Sequence, residues 1–95
     1  MPEGKSFVVI KGDGLAVQWP VLLTDILFYC SADGNQCLIY DGLDVTSGKF
    51  FCRLQGANDR SYHVGLGEGV EFSSGIYVDQ SGTSDECTIC FRSLA

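Results

Sequence analysis

Pro20-Val-Leu-Leu-Thr-Asp-Ile-Leu-Phe-Tyr-Cys30 is the stretch on which the fold depends. Two periodicities compete in it. Leu23, Ile26, Leu27 and Cys30 stand at i, i+3, i+4 and i+7, and Pro20 could open a helix, because the first helical position needs no N–H donor. Read at period two, Leu22-Thr24-Ile26-Phe28-Cys30 line one face and Val21-Leu23-Asp25-Leu27-Tyr29 the other. The aromatic and β-branched end, and the Asp33-Gly34-Asn35 turn that follows, favour the strand. On that reading Cys30 and Cys37 flank a hairpin loop, and Cys37–Asp41 returns as the partner strand.

Outward from this segment, glycine punctuates the chain. Asp13-Gly14, Asp33-Gly34, Asp41-Gly42, Ser47-Gly48, Ser74-Gly75 and Ser81-Gly82 are turn pairs, in which Asp or Ser bonds nearby backbone and Gly accepts positive φ. Between them lie short runs rich in Val, Ile, Phe and Tyr: Phe7–Ile10, Ala16–Trp19, Val21–Cys30, Cys37–Tyr40, Phe50–Leu54, Tyr62–Val64, Val70–Phe72, Ile76–Val78 and Cys87–Phe91. Strands at this spacing predict an all-β chain. The expected architecture is a single antiparallel β-sandwich, jelly-roll-like, of about eight short strands. Residues 1–95 form one domain, with 1–11 as an N-terminal arm or first strand.

Composition excludes several classes. The 95 residues carry 12 Asp+Glu against 6 Lys+Arg, a net charge of -6, so no basic stripe is available for a phosphate backbone and no nucleic-acid partner is expected. The longest apolar stretch, Trp19–Cys30, is broken by Thr24 and Asp25 and falls short of the roughly 20 residues of a membrane span. Met-Pro-Glu-Gly lacks the cationic start and apolar block of a secretion signal, which leads to an expectation of synthesis in a reducing cytoplasm.

Candidate chemistry is sparse. Cys87-Thr-Ile-Cys90 has the C-x-x-C spacing, but as a strand it points Cys87, Ile89 and Phe91 inward and Thr88, Cys90 and Arg92 outward, so the two sulfurs cannot share a metal. Five cysteines leave at least one unpaired in a monomer. Cys30 and Cys37 are the possible disulfide, and the alternative is five small buried hydrophobes. His63 is the single imidazole, with Cys52 as a conceivable partner. Asp41, Asp44 and Asp85-Glu86 read as turn chemistry and solvation, while Gly12-Asp-Gly14 and Gly65-Leu-Gly67-Glu-Gly69 lack the Lys of a phosphate loop. No catalytic residue, metal, cofactor or small-molecule substrate is expected. What the chain does offer is apolar residues on both faces of its strands, at Phe7-Val8-Val9-Ile10, Phe50-Phe51 and Val21–Tyr29. Tilted strands under loop cover explain such a pattern, and so does burial against other subunits.

The order of motifs carries a resemblance. Trp19-Pro-Val-Leu-Leu23 leads into a strand, followed by Leu38-Ile-Tyr-Asp-Gly42 and Ser47-Gly-Lys49. Gly69-Val-Glu-Phe-Ser-Ser-Gly-Ile-Tyr-Val78 and the last strand Cys87–Phe91 come next. Over residues 12–92 this order resembles the small β-sandwich virion proteins of tailed bacteriophages. The resemblance implies a capsid decoration or cement protein, a homotrimer displayed on the capsid surface against a major capsid protein. Phe7, Val9, Trp19, Val21, Leu23, Leu27 and Tyr29 are then the expected interface residues. Trp19 either anchors that interface or caps the core end. The five cysteines and the Trp19-Pro20 pair depart from the family pattern. The alternative is a receptor- or glycan-binding module of a fibre or tail, with Asn58-Asp59-Arg60 and Tyr62 as its nearest approach to a loop cluster.

Overall fold

The computed structural model describes residues 5–82 and 84–94. Eight strands make up the described chain: β1 Ser6–Lys11, β2 Gly14–Val17, β3 Val21–Cys30, β4 Gln36–Asp41, β5 Lys49–Gln55, β6 Arg60–Phe72, β7 Ile76–Gln80 and β8 Glu86–Ser93. They form two four-stranded sheets, sheet A in the order β1-β8-β3-β6 and sheet B in the order β2-β7-β4-β5, with every pairing antiparallel. The first strand lies beside the last, the second beside the seventh, the third beside the sixth and the fourth beside the fifth. This is a long hairpin ribbon folded over on itself, the topology of a jelly roll. The all-β sandwich read from the turn spacing is the observed architecture.

The core sits between the sheets. Sheet A contributes Val21, Leu23, Ile26, Phe28 and Ile89, and sheet B answers with Ile39, Ile76 and Val78, all buried. Phe51 of sheet B meets Phe72 of sheet A edge to face at 5.0 Å, which closes the core toward the β5–β6 side. At one end, Gln80 and Asp85 tie the layers together by hydrogen bonds. Gln80 Nε2 donates to the carbonyls of Ile10 at 3.0 Å and Gly12 at 2.6 Å, and its N–H donates to Asp13. Asp85 Oδ1 accepts from the Ser31 N–H at 2.8 Å, the Ser31 hydroxyl at 2.6 Å and the Asn35 amide at 3.3 Å.

The central segment is a strand, but its faces differ from simple alternation. Against β8, Leu23 pairs with Phe91 and Asp25 with Cys90, so Thr24 is an extra residue. This is a β-bulge, and the Thr24 hydroxyl donates to the Cys90 carbonyl at 3.1 Å. One inserted residue reverses the phase. Val21 and Leu23, expected on the outer face with Leu27 and Tyr29, are fully buried in the core alongside Ile26 and Phe28. They cannot contribute to an interface.

Three further expectations are corrected. β4 does not return beside β3. Both edges of β3 are occupied, by β6 and β8, so the chain crosses at Ser31–Asn35 to the other sheet and Cys30 and Cys37 belong to different layers. These two cysteines are not bridged: all five are free thiols, and the Cys30 thiol donates to Ala32 O at 3.0 Å. The runs Tyr62–Val64 and Val70–Phe72 are one strand. Between the Asp25–Gly65 and Leu23–Val70 pairs, β6 spans Leu66-Gly67-Glu68-Gly69 where β3 has only Thr24.

Candidate functional site

The outer face of sheet A collects most of the surface chemistry. On β1 the inward positions are Val8 and Ile10, which pack on the core, so Phe7 and Val9 project outward with 70% and 50% exposure. Register carries the face across the sheet. Val9 stands opposite Thr88, Thr88 opposite Leu27, and Leu27, 43% exposed, opposite His63. Phe7 aligns with Cys90 and Cys90 with Asp25 in the next row. On the other side Lys11 aligns with Glu86, Glu86 with Tyr29, and Tyr29 with Ser61. The bulge at Thr24 is what puts Asp25, Leu27 and Tyr29 on one surface while Val21 and Leu23 turn inward.

Charged pairs rim the apolar row. Asp25 accepts from Lys5 Nζ at 2.8 Å through Oδ2 and lies 3.0 Å from His63 Nε2 through Oδ1. The Lys5 ammonium, with help from His63, holds the Asp25 carboxyl well below its ordinary range. Across the face Lys11 pairs with Glu86 at 3.6 Å. The Tyr29 hydroxyl donates to Asp59 Oδ1 at 2.8 Å, and that carboxylate raises the phenol above its usual value. Asp59 adopts φ 57°, a left-handed conformation that Asp tolerates better than most residues. Between these groups runs a groove of about 320 Å³ lined by Leu27, Phe28, Tyr29, Ser61, Tyr62, His63, Glu86 and Thr88.

Four expected interface residues, Phe7, Val9, Leu27 and Tyr29, are therefore brought together on one face, and Val21 and Leu23 are not. Trp19, 56% exposed, lies in the turn between β2 and β3 at one end of the sandwich, outside the strand read for it. Leu43 and Val45 of the β4–β5 loop are exposed at the same end. Tyr62 is a packing residue: its ring stacks on Phe28 at 6.3 Å and its hydroxyl accepts from Ala57 N–H at 2.9 Å. Cys52 packs against the core from sheet B, on the opposite side of sheet A from His63, so the two form no pair. Asp41 caps the N–H groups of Ser73 and Ser74, and Asp44 caps that of Ser47, which is turn chemistry. Cys87 and Ile89 point inward with Cys90 half-covered outside, as alternation predicts. Among the described residues, no group of three or more His, Cys, Asp or Glu side chains is placed to hold a metal ion.

The Lys5–Asp25–His63 cluster and the groove were not read from the sequence. Asp25 and His63 are 38 positions apart, and only the β3–β6 register brings them together. No family model, no curated protein and no solved structure matches this chain.

Proposed function

We propose that this chain is a virion structural protein that decorates and cements a capsid, assembling as a homotrimer and seated on the major capsid protein. One observation carries the reading. Phe7, Val9 and Leu27 expose large apolar side chains on one sheet face, Val9 and Leu27 on either side of Thr88 and Phe7 in the next row, where a free-standing sandwich is polar. Opposite charges rim these side chains, the arrangement of a recognition surface with an apolar centre and a polar margin. In this reading the outer face of sheet A joins copies of the chain, and the end bearing Trp19, Leu43 and Val45 meets the shell. The motif order of residues 12–92 supports the virion assignment. So does the jelly-roll winding, which recurs in viral capsid and lectin domains, although as an analogy of fold it weighs less than the surface itself. A net charge of -6 keeps free copies soluble and away from nucleic acid before docking.

Native mass spectrometry of the purified chain tests the assembly: the expected species has three times the 10.3 kDa chain mass. Phe7→Lys with Val9→Lys is expected to give a monomer with unchanged far-ultraviolet circular dichroism. A wild-type monomer at tens of micromolar overturns the trimer. Absence of the chain from density-banded particles of its source culture overturns the capsid role.

The groove favours a second reading, a glycan-binding module of a fibre or tail. There Tyr29 is the stacking surface and Ser61, His63 and Glu86 supply hydrogen bonds. Glycan-array binding that is lost in Tyr29→Ala, with no trimer in solution, selects it over assembly.

A further inference from the structure

We propose that Cys37 and Cys87 close a disulfide that staples sheet A to sheet B through the core. Cys37 lies on β4 of sheet B and Cys87 on β8 of sheet A, and both are fully buried within one cluster. Their neighbours place them opposite each other. Cys37 is the register partner of Gln80, Cys87 is the register partner of Ile10, and Gln80 Nε2 reaches across the layers to the Ile10 carbonyl at 3.0 Å. A single glutamine side chain spanning the gap to opposing backbone requires the sheets to approach closely at this level, where the cysteines are also the small residues. The Cys87 thiol is also the group that most strongly raises the Cys37 thiol, as a near neighbour in the core does. Cys30 turns instead to the Ala32 carbonyl in its own crossover.

The chemistry is a two-electron oxidation by a small-molecule disulfide such as oxidised glutathione. One cysteine thiolate attacks the external disulfide, releasing one glutathione thiolate and leaving a mixed disulfide. The second cysteine then displaces the other glutathione, so that the protein S–S bond forms, the external one breaks, and both protons end on the two released thiols. The neighbouring Cys87 thiol and burial both raise Cys37 far above an ordinary thiol, so in the closed fold it is un-ionised and out of reach of the oxidant. Closure therefore belongs to folding or to transient opening, and the finished bond is shielded from reductants. It encloses all of β5, β6 and β7, a long loop whose restriction in the unfolded chain favours the native state.

Refolding the full chain in a buffer of reduced and oxidised glutathione, trapping with iodoacetamide and mapping the unreduced digest tests the proposal. The expected product is two hydrogens lighter before alkylation, with a Cys37–Cys87 linked peptide, three alkylated cysteines and a higher urea midpoint than the reduced protein. Cys87→Ser is expected to remove the link. Should that variant not fold, the triple variant Cys30→Ser, Cys52→Ser, Cys90→Ser keeps only the proposed pair and must still close it. Five alkylated cysteines in folded protein, a bond involving Cys30 or Cys52, an interchain bond, or a folded triple variant that stays reduced overturns the proposal. The bond lies within one chain, so these readouts are independent of the oligomeric state.

Discussion

Asp85→Ala measures how strongly one buried carboxylate holds the two loop-bearing layers together. Asp85 is fully buried at the start of β8, and its Oδ1 accepts from the Ser31 N–H at 2.8 Å, the Ser31 hydroxyl at 2.6 Å and the Asn35 amide at 3.3 Å. Those donors belong to the crossover from β3 to β4, the step that takes the chain from one sheet to the other. Hydrogen bonds to a charged acceptor contribute about 1.5–3 kcal/mol each when the acceptor is removed and the donors stay buried. The two short ones together give roughly 3–6 kcal/mol, and the 3.3 Å contact adds little. The second oxygen, Oδ2, is buried with no hydrogen-bond partner among the described residues, so deleting it returns about 1–3 kcal/mol of desolvation. The midpoints of these ranges leave a net loss of about 2.5 kcal/mol, set against a total of about 5–14 kcal/mol for a domain of this length. Urea unfolding followed by far-ultraviolet circular dichroism is the assay, since Trp19 is exposed and a poor reporter of the core. The melting temperature should fall by about 10–20 °C. Asp85→Asn keeps a neutral acceptor in place of Oδ1 and should lose about half as much. An Asp85→Ala protein within about 0.5 kcal/mol of wild type would refute the reasoning.

Two glycines with positive φ should respond in opposite ways. Gly75 has φ 146° and an added Cβ would lie 2.4 Å from the Val17 carbonyl oxygen, so Gly75→Ala should cost about 2–3 kcal/mol in the same urea assay. Gly67, at φ 63° with open space around it, should accept Asn with little loss. The Asp25 carboxyl is depressed by Lys5 and His63, so its contribution is fully present above the ordinary carboxylate value near pH 4 and is lost as the pH falls toward the depressed value. The stability gap between wild type and Asp25→Asn should therefore narrow only below about pH 4; a gap that vanishes by pH 6 contradicts the cluster. Burial pushes the Cys52 thiol up to about 11 and raises Cys90 as well, with the Asp25 charge adding to the latter. In the reduced protein, iodoacetamide at pH 8 should label these two half-covered cysteines slowly, and Cys30, Cys37 and Cys87 only on unfolding. A single fast-reacting thiol in native protein would point to a nucleophile instead.

Legibility in the sequence followed the range of the interaction. The strand Val21–Cys30 was readable because aromatic and β-branched residues and a following turn are local signals. Its faces were readable only from Asp25 onward, since nothing in Leu22-Leu23-Thr24 announces that Thr24 bonds the Cys90 carbonyl and is left over in the ladder. The apolar part of the outer-face patch was visible, as Phe7 and Val9 in the first apolar run and as Leu27 and Tyr29 on the second face of Val21–Cys30. The charged rim was not, because Lys5, Asp25 and His63 come from three separate strands or their approaches. The pairing of Cys30 with Cys37 was not legible for a related reason: the two are close along the chain, but the crossover at Ser31–Asn35 turns the Cys30 thiol to the Ala32 carbonyl and both stay free.

By itself, then, the sequence determined that this is an acidic chain of short antiparallel strands with surplus apolar residues on their outer faces. Alternation, turn pairs and net charge are properties of neighbouring residues and survive without knowledge of the fold. Only the tertiary structure decided which strand joins which sheet, which way Val21 and Leu23 point, that Cys37 and Cys87 share one buried core, and that Asp25 meets His63. A sheet ladder joins residues tens of positions apart, and a single unpaired residue reverses every side chain beyond it.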